Sequence, residues 1–194
     1  MTRIIGGSAG GRRIKATTGE NTRPTSDRVR EALFSSLEST LGSLTGLRFL
    51  DLYAGSGAVG LEARSRGAGV VTFVEQDRRT SALVRDNART LGFTGVEVVA
   101  APVARALATP PRAPYDVVFL DPPYALAVDD VEADLAALRD NGWLAPGALV
   151  MIERGRRGPA PTWPEGLEAD RDKRYGETVL WYGHAAPNPP DPHP

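Results

Sequence analysis

The 194-residue chain contains no cysteine and only two histidines. Disulfides, thiolate nucleophiles and cysteine-ligated zinc are thereby excluded, a histidine-rich metal site is equally out of reach, and no metal cofactor is expected. No stretch approaches the ~20 consecutive apolar residues of a membrane-spanning helix, and the first residues lack the apolar run of a signal peptide. The expectation is a cytoplasmic protein with no membrane partner. Neither sign of charge dominates, the formal net charge being −1. Hydrophobic residues make up 41% of the chain, enough for one core, so one domain with a small appendage is the default.

Charge is balanced in total but not in placement. Residues 1–30 carry Arg3, Arg12, Arg13, Lys15, Arg23, Arg28 and Arg30 against Glu20 and Asp27. A basic segment on a mildly acidic body suits a phosphate-rich partner, because Lys and Arg release counterions from a nucleic-acid backbone. The plainer alternative is a solvated basic face with no partner. Arg3-Ile4-Ile5 and Arg12-Arg13-Ile14-Lys15, joined by the glycine-rich stretch 6–11, read as a basic β-hairpin. Beyond Arg23-Pro24-Thr25-Ser26-Asp27, the spacing of Val29, Ala32, Leu33 and Leu37 predicts a helix over 27–40, capped by Ser26 or Thr25.

From residue 48 onward, short apolar runs alternate with longer amphipathic stretches. Segments 49–53, 70–74, 96–99, 116–120 and 148–152 read as buried strands, and segments 57–67, 77–91, 102–108 and 129–140 as helices. Such repeated units predict an α/β fold with a mainly parallel sheet covered on both faces. Segments 169–174 and 178–182 resemble a terminal antiparallel hairpin. Residues 154–168, interrupted by Pro and Trp, read as a surface loop. The expected organisation is a hairpin extension over 1–22, a catalytic domain over 23–184 and a disordered proline-rich tail over 185–194.

The first strand of this series ends in Asp51-Leu52-Tyr53-Ala54 and runs into Gly55-Ser56-Gly57-Ala58-Val59-Gly60. Glycines between a strand and a helix permit a tight turn and let a ligand approach the backbone; Glu75, ending the second strand beside Gln76, can bond ribose hydroxyls. These features suit a dinucleotide as well as S-adenosylmethionine. Asp51 separates the two, because a carboxylate there repels a pyrophosphate but attracts the cationic ammonium of the methyl donor. In the competing reading, Asp51 only caps the turn.

The fourth strand delivers Asp121-Pro122-Pro123-Tyr124 at its carboxyl end, the edge where open α/β sheets bind ligands. An exocyclic amino group on a base is a poor nucleophile, since its lone pair is delocalised into the ring. Asp121 can accept one amino hydrogen and the carbonyl of Pro122 the other, while paired prolines supply no N–H and fix the carbonyl direction. Positive charge developing on that nitrogen is stabilised by an ionised Asp121, which can also take the released proton, and Tyr124 can stack on a base held outside its helix. The plainer reading is a proline-rich turn with a buried tyrosine.

Over nearly its whole length, to about Tyr182, the chain resembles the RsmD-type 16S ribosomal RNA guanine-N2 methyltransferases. The resemblance is carried by Arg3-Ile4-Ile5-Gly6-Gly7, by Arg23 to Glu31, by Asp51 to Gly57, by Asp121 to Tyr124 and by Asn141-Gly142-Trp143-Leu144; the first two strings are the specific ones. It implies a Rossmann-like class I methyltransferase fold with a small N-terminal hairpin, S-adenosyl-L-methionine as cofactor, and a guanine of 16S rRNA in an assembling small subunit as substrate, with monomer as the default state. It further implies cofactor binding by Asp51, Tyr53, Ala54, Gly55, Ser56, Gly57, Glu75 and Gln76, catalysis by Asp121, Pro122, Pro123 and Tyr124, and RNA contact by Arg3, Arg12, Arg13, Lys15, Arg23, Thr25 and Arg28. Where such relatives usually carry Asp or Asn for the adenine, this chain has Ala100-Ala101-Pro102-Val103, leaving the Val103 N–H and implying weaker cofactor binding.

Three other readings compete. Another amino methyltransferase, acting on adenine N6 or on a protein glutamine, shares the tetrapeptide logic. A non-catalytic RNA-binding protein would need only the hairpin and the Arg154, Arg156, Arg157 loop. A nicotinamide-dependent dehydrogenase rests on the glycine pattern alone.

Overall fold

The structure, a computed structural model, describes residues 2–17 and 26–187. Arg23, Thr25 and the expected boundary at 22/23 lie outside the described residues, as does most of the proline-rich tail.

A short hairpin, β1 (Thr2–Arg3) and β2 (Arg13–Ile14), encloses a 3-10 turn at Gly7–Ala9 and is followed by α1 (Asp27–Leu41). The main body then runs β3 (Arg48–Leu52), α2 (Ala58–Ser65), β4 (Val70–Val74), α3 (Arg78–Leu91), β5 (Val96–Val99), α4 (Val103–Leu107), β6 (Tyr115–Leu120), α5 (Val128–Asp140), β7 (Leu144–Gly155), β8 (Leu167–Tyr175) and β9 (Thr178–Ala185). The seven body strands form one sheet in the order β5-β4-β3-β6-β7-β9-β8. All neighbours are parallel except β9, which runs antiparallel to both β7 and β8. The strand order reverses between β3 and β6, opening a crevice beyond their carboxyl ends.

Apolar residues on the two faces build two cores. On one face Leu33, Phe34 and Leu37 of α1, Leu61 of α2 and Val84 of α3 pack on Phe49, Phe73 and Phe119. On the other, Leu107 of α4 and Leu135 and Leu138 of α5 pack on Leu50, Val118 and Val150. Ile4, Ala9 and Ile14 of the hairpin belong to the first core, so the basic extension is part of the body's packing. Its seat is Glu62 of α2, fully buried, which accepts the Ile5 and Gly6 N–H groups at 2.7 and 2.8 Å.

Helix α1 is capped by Ser26, whose side chain accepts the Val29 N–H at 3.2 Å. Three expectations need correction. Strand β5 is half exposed: it is the sheet edge, with only β4 beside it, so Glu97 and Val99 face outward. Strand β7 is longer than its central apolar run and carries Arg154 and Gly155, because β9 pairs with it to the end. Ala185, expected in the tail, is the last residue of β9 and pairs with Leu167, which leaves it 8% exposed.

Candidate active site

The β3–β6 register sets Leu52 beside Leu120, so the glycine loop and the tetrapeptide leave the sheet side by side. The Asp121 N–H donates to the Leu52 carbonyl at 3.3 Å, continuing the pairing one step past the strands. Gly57 reaches φ +82° and Gly55 φ +55°, the left-handed region glycine enters without strain. Gly60 is required for a different reason: a Cβ there would lie 2.3 Å from Cε1 of Phe73, so only glycine lets α2 approach β4 this closely.

Asp51 is 2% exposed, and its Oδ2 accepts the Gly60 N–H at 2.9 Å. Burial, with a smaller contribution from the nearby Glu75 charge and against the Gly60 hydrogen bond, pushes its carboxyl up to about 8. One Asp51 oxygen therefore braces the start of α2, as the turn-capping alternative held. Together with Glu75 it nonetheless makes a site suited to a cation and unsuited to a pyrophosphate. Glu75 accepts the Gly55 N–H at 2.9 Å and the Asp77 N–H at 2.9 Å, orienting its carboxylate at the loop mouth. Gln76 beside it is exposed.

Ser56 is buried, and its carbonyl accepts from the side chain of Asn87 in α3 at 3.1 Å. Asn87 also bonds both backbone groups of Lys15, tying the hairpin to the glycine loop. Sequence reasoning missed it, since an Asn inside a helix gives no signal of partners far away in the chain. Ala54 donates its N–H to the Val74 carbonyl at 3.0 Å, which holds the loop start against β4. The Val103 side chain is buried, so only its backbone could meet an adenine, and Pro102 before it caps α4 without a side-chain hydrogen bond.

Tyr53 is the one non-glycine at positive φ (+60°) among the described residues. Its hydroxyl donates to Asp134 Oδ2 of α5 at 2.5 Å. Burial raises both groups' proton affinity, and for Tyr53 the Asp134 hydrogen bond adds to it. The hydroxyl is committed to α5, which leaves the backbone and ring of Tyr53 for the expected ligand.

In the tetrapeptide, Pro122 is buried and Asp121 half-buried, while Tyr124 is 52% exposed. The Pro123 carbonyl accepts from Leu126 N–H at 2.9 Å and from Arg154 Nη1 at 3.1 Å. It is thus saturated, which suits Pro122, not Pro123, as the second acceptor for an amino group. Arg154 was expected on a basic surface loop. It is 7% exposed instead, because its partners are the Pro123 and Leu126 carbonyls of the loop after β6.

The basic segment divides. Arg3, Arg13, Lys15 and Arg28 are exposed. Arg12 is exposed too, but its guanidinium donates to the Leu91 and Thr90 carbonyls at 2.9 and 2.5 Å, capping the carboxyl end of α3. Arg30, counted in the basic segment from its position, is fully buried and bonds Asp27 at 3.0 Å and the Arg3 carbonyl, with its Nε 3.7 Å from Glu62. Its charge is not offered to a partner.

Residues 2–184 match the family described as conserved hypothetical protein 95. Ribosomal RNA small subunit methyltransferase D of Escherichia coli K12 is 38% identical over 177 residues, covering 91% of this chain and 86% of that protein. The protein of the same name from Haemophilus influenzae is 37% identical over 177 residues, covering 90% and 89%. A solved Escherichia coli structure described as methyltransferase yhhF superposes with a TM-score of 0.83 at 34% identity, over 95% of this chain and 97% of that one. Magnesium protoporphyrin IX methyltransferase from Synechocystis, solved with bound S-adenosylmethionine, shares the fold with a TM-score of 0.64 at 14% identity, over 82% and 79%.

Proposed function

The chain belongs to the RsmD family, conserved hypothetical protein 95, and on that premise we propose that it transfers a methyl group from S-adenosylmethionine to the exocyclic N2 amino group of a guanine in 16S ribosomal RNA. The observation that carries the reading is the juxtaposition of the Asp51–Glu75 carboxylate pair with Asp121-Pro122-Pro123-Tyr124 across the β3–β6 crevice. When bound, the cofactor supplies an electrophilic methyl group on a sulfonium.

The residues of this chain do the rest. Asp51 and Glu75, with the Gly55 to Gly57 backbone, favour a cationic ligand with ribose hydroxyls. Asp121 and the Pro122 carbonyl accept the two amino hydrogens and turn the nitrogen lone pair toward the donor. As positive charge develops on nitrogen, Asp121 stabilises it more than it stabilises the neutral amine. Tyr124, half exposed at the crevice mouth, offers a face on which an unstacked guanine can rest. Arg3, Arg13, Lys15 and Arg28 offer charge to RNA phosphates. The working context is an assembling small ribosomal subunit in the cytoplasm.

The test compares undermethylated small subunits, free 16S RNA and duplex DNA as substrates, with nucleoside mass spectrometry of the product. N2-methylguanosine in the ribosomal samples, lost at least a hundredfold in Asp121→Ala while cofactor binding persists, is expected. Activity on DNA alone, or full activity in Asp121→Ala, would overturn the reading.

A further inference from the structure

The carboxyl end of β7 meets the catalytic loop in two independent ways. Arg154 sends both terminal nitrogens into it, Nη1 to the Pro123 carbonyl at 3.1 Å and Nη2 to the Leu126 carbonyl at 3.0 Å. The next residue, Gly155, lies against the ring of Tyr124: a Cβ there would sit 3.1 Å from Cε1 and 3.4 Å from Cδ1 of that ring. Gly155 does not have a left-handed φ, so a side chain there would be limited not by backbone conformation but by the ring, on which it would press.

We infer that Arg154-Gly155 is a positioning platform that sets where the tetrapeptide presents its acceptor carbonyl and its stacking ring. This rests on the proposed methyl transfer to a base amino group. Paired prolines restrict φ but leave the loop free to swing as a unit about its ends. A planar guanidinium spanning two carbonyls three residues apart removes that freedom, which a lysine, a single point donor, cannot do. By taking a lone pair of Pro123, Arg154 also separates the roles of two adjacent carbonyls: Pro123 holds the loop, and Pro122 remains for the substrate. Gly155 then determines how deeply the Tyr124 ring settles, and therefore how far from Asp121 a stacked base lies. Neither residue touches the reacting atoms.

The experiment uses the full chain with four variants: Arg154→Lys, Gly155→Val, Tyr124→Ala, and Tyr124→Ala with Gly155→Val. Single-turnover methylation of undermethylated small subunits is measured beside cofactor affinity and melting temperature. Arg154→Lys is expected to lower the methylation rate roughly tenfold to a hundredfold, the scale of a misplacement near 1 Å, with cofactor affinity kept within twofold. Gly155→Val is expected to lower the rate in the parent chain and to change nothing further once Tyr124 is alanine. Equal losses from Gly155→Val in both backgrounds, or a full rate in Arg154→Lys, would overturn the platform. Amide exchange at residues 124–127 reads the same idea without substrate. It should rise at least tenfold in Arg154→Lys while residues 55–57 stay unchanged, and unchanged exchange would sink the platform. A parent chain that methylates no RNA, together with the expected exchange result, refutes the proposed function and leaves the platform standing.

Discussion

The carboxamide of Asn87 grips the backbone of Lys15 from both sides: Oδ1 accepts the Lys15 N–H at 2.9 Å, and Nδ2 donates to the Lys15 carbonyl at 2.9 Å. The same Nδ2 reaches the Ser56 carbonyl at 3.1 Å. One buried side chain therefore links the exit of the basic hairpin to the glycine loop.

Replacing Asn87 with alanine strands the backbone groups it satisfies, at about 1–3 kcal/mol for a buried polar group left unpaired. At about 2–4 °C per kcal/mol for a chain of this length, the melting temperature should fall by several degrees. Asn87→Asp should be at least as damaging near neutral pH, since a carboxylate would face two carbonyl oxygens, and should recover as pH falls and the acid protonates. Thermal melts at two pH values check both statements. An unchanged melting temperature in Asn87→Ala would refute the clasp.

Arg12 and Arg13 are neighbours with different work. Arg12→Ala removes two hydrogen bonds from the carboxyl end of α3 and should lower stability by about 1–2 kcal/mol, helped by the loss of a cation near the helix dipole. Arg13→Ala should leave stability within about 0.5 kcal/mol, as exposed substitutions do. It should weaken RNA binding and reduce the slope of log affinity against log salt by about 1. Urea unfolding and salt-dependent binding titrations separate the two; equal salt slopes for parent and Arg13→Ala would remove Arg13 from the RNA contact.

Asp51 carries a pH signature. Its folded carboxyl lies at about 8, raised by burial above the ordinary 3.8, so between those values the native state binds more protons than the unfolded one. Stability contributed by this group is present below pH ~4 and is lost as pH rises toward ~8. Asp51→Asn, which keeps an acceptor for the Gly60 N–H, should lose that dependence. At pH ~6.5, where an α-amino group of ordinary pKa near 7.7–8.0 remains an ammonium, binding of the cationic methyl donor should release a proton from the parent chain and none from Asp51→Asn. Calorimetry in buffers of different ionisation enthalpy measures the release, and its absence in the parent chain would contradict a cation beside Asp51.

Pro102 caps α4 with no side-chain hydrogen bond. An aspartate there gains an N-cap worth about 1 kcal/mol and loses proline's restraint on the unfolded chain, worth about 0.4–1 kcal/mol, so stability should hardly move. A side-chain acceptor for the adenine amino group is also gained, and cofactor affinity should tighten about twofold to tenfold, the range of one net hydrogen bond. An unchanged dissociation constant in Pro102→Asp would show that the adenine does not lie against this segment.

The order of strands and helices, the glycine loop, the carboxylates at strand ends and the tetrapeptide were all legible in the sequence. Each is a local pattern, written in residues a few positions apart: apolar runs of strand length, helical spacing in α1 and α3, and glycines just after a strand. Parallel pairing then placed Asp51 and Asp121 at one edge with no further information, because Asp51 is the penultimate residue of β3 and Asp121 follows the last residue of its neighbour β6. What the tertiary structure alone decided was the partner of each polar side chain. Tyr53 finds Asp134 across 81 residues, Arg12 finds Leu91 across 79, and Arg154 finds Pro123 across 31. An exposed arginine, one capping a helix and one holding the loop after a strand look alike in sequence. Their roles depend on which unpaired carbonyls and carboxylates the folded backbone brings within reach, and that is a property of long-range packing.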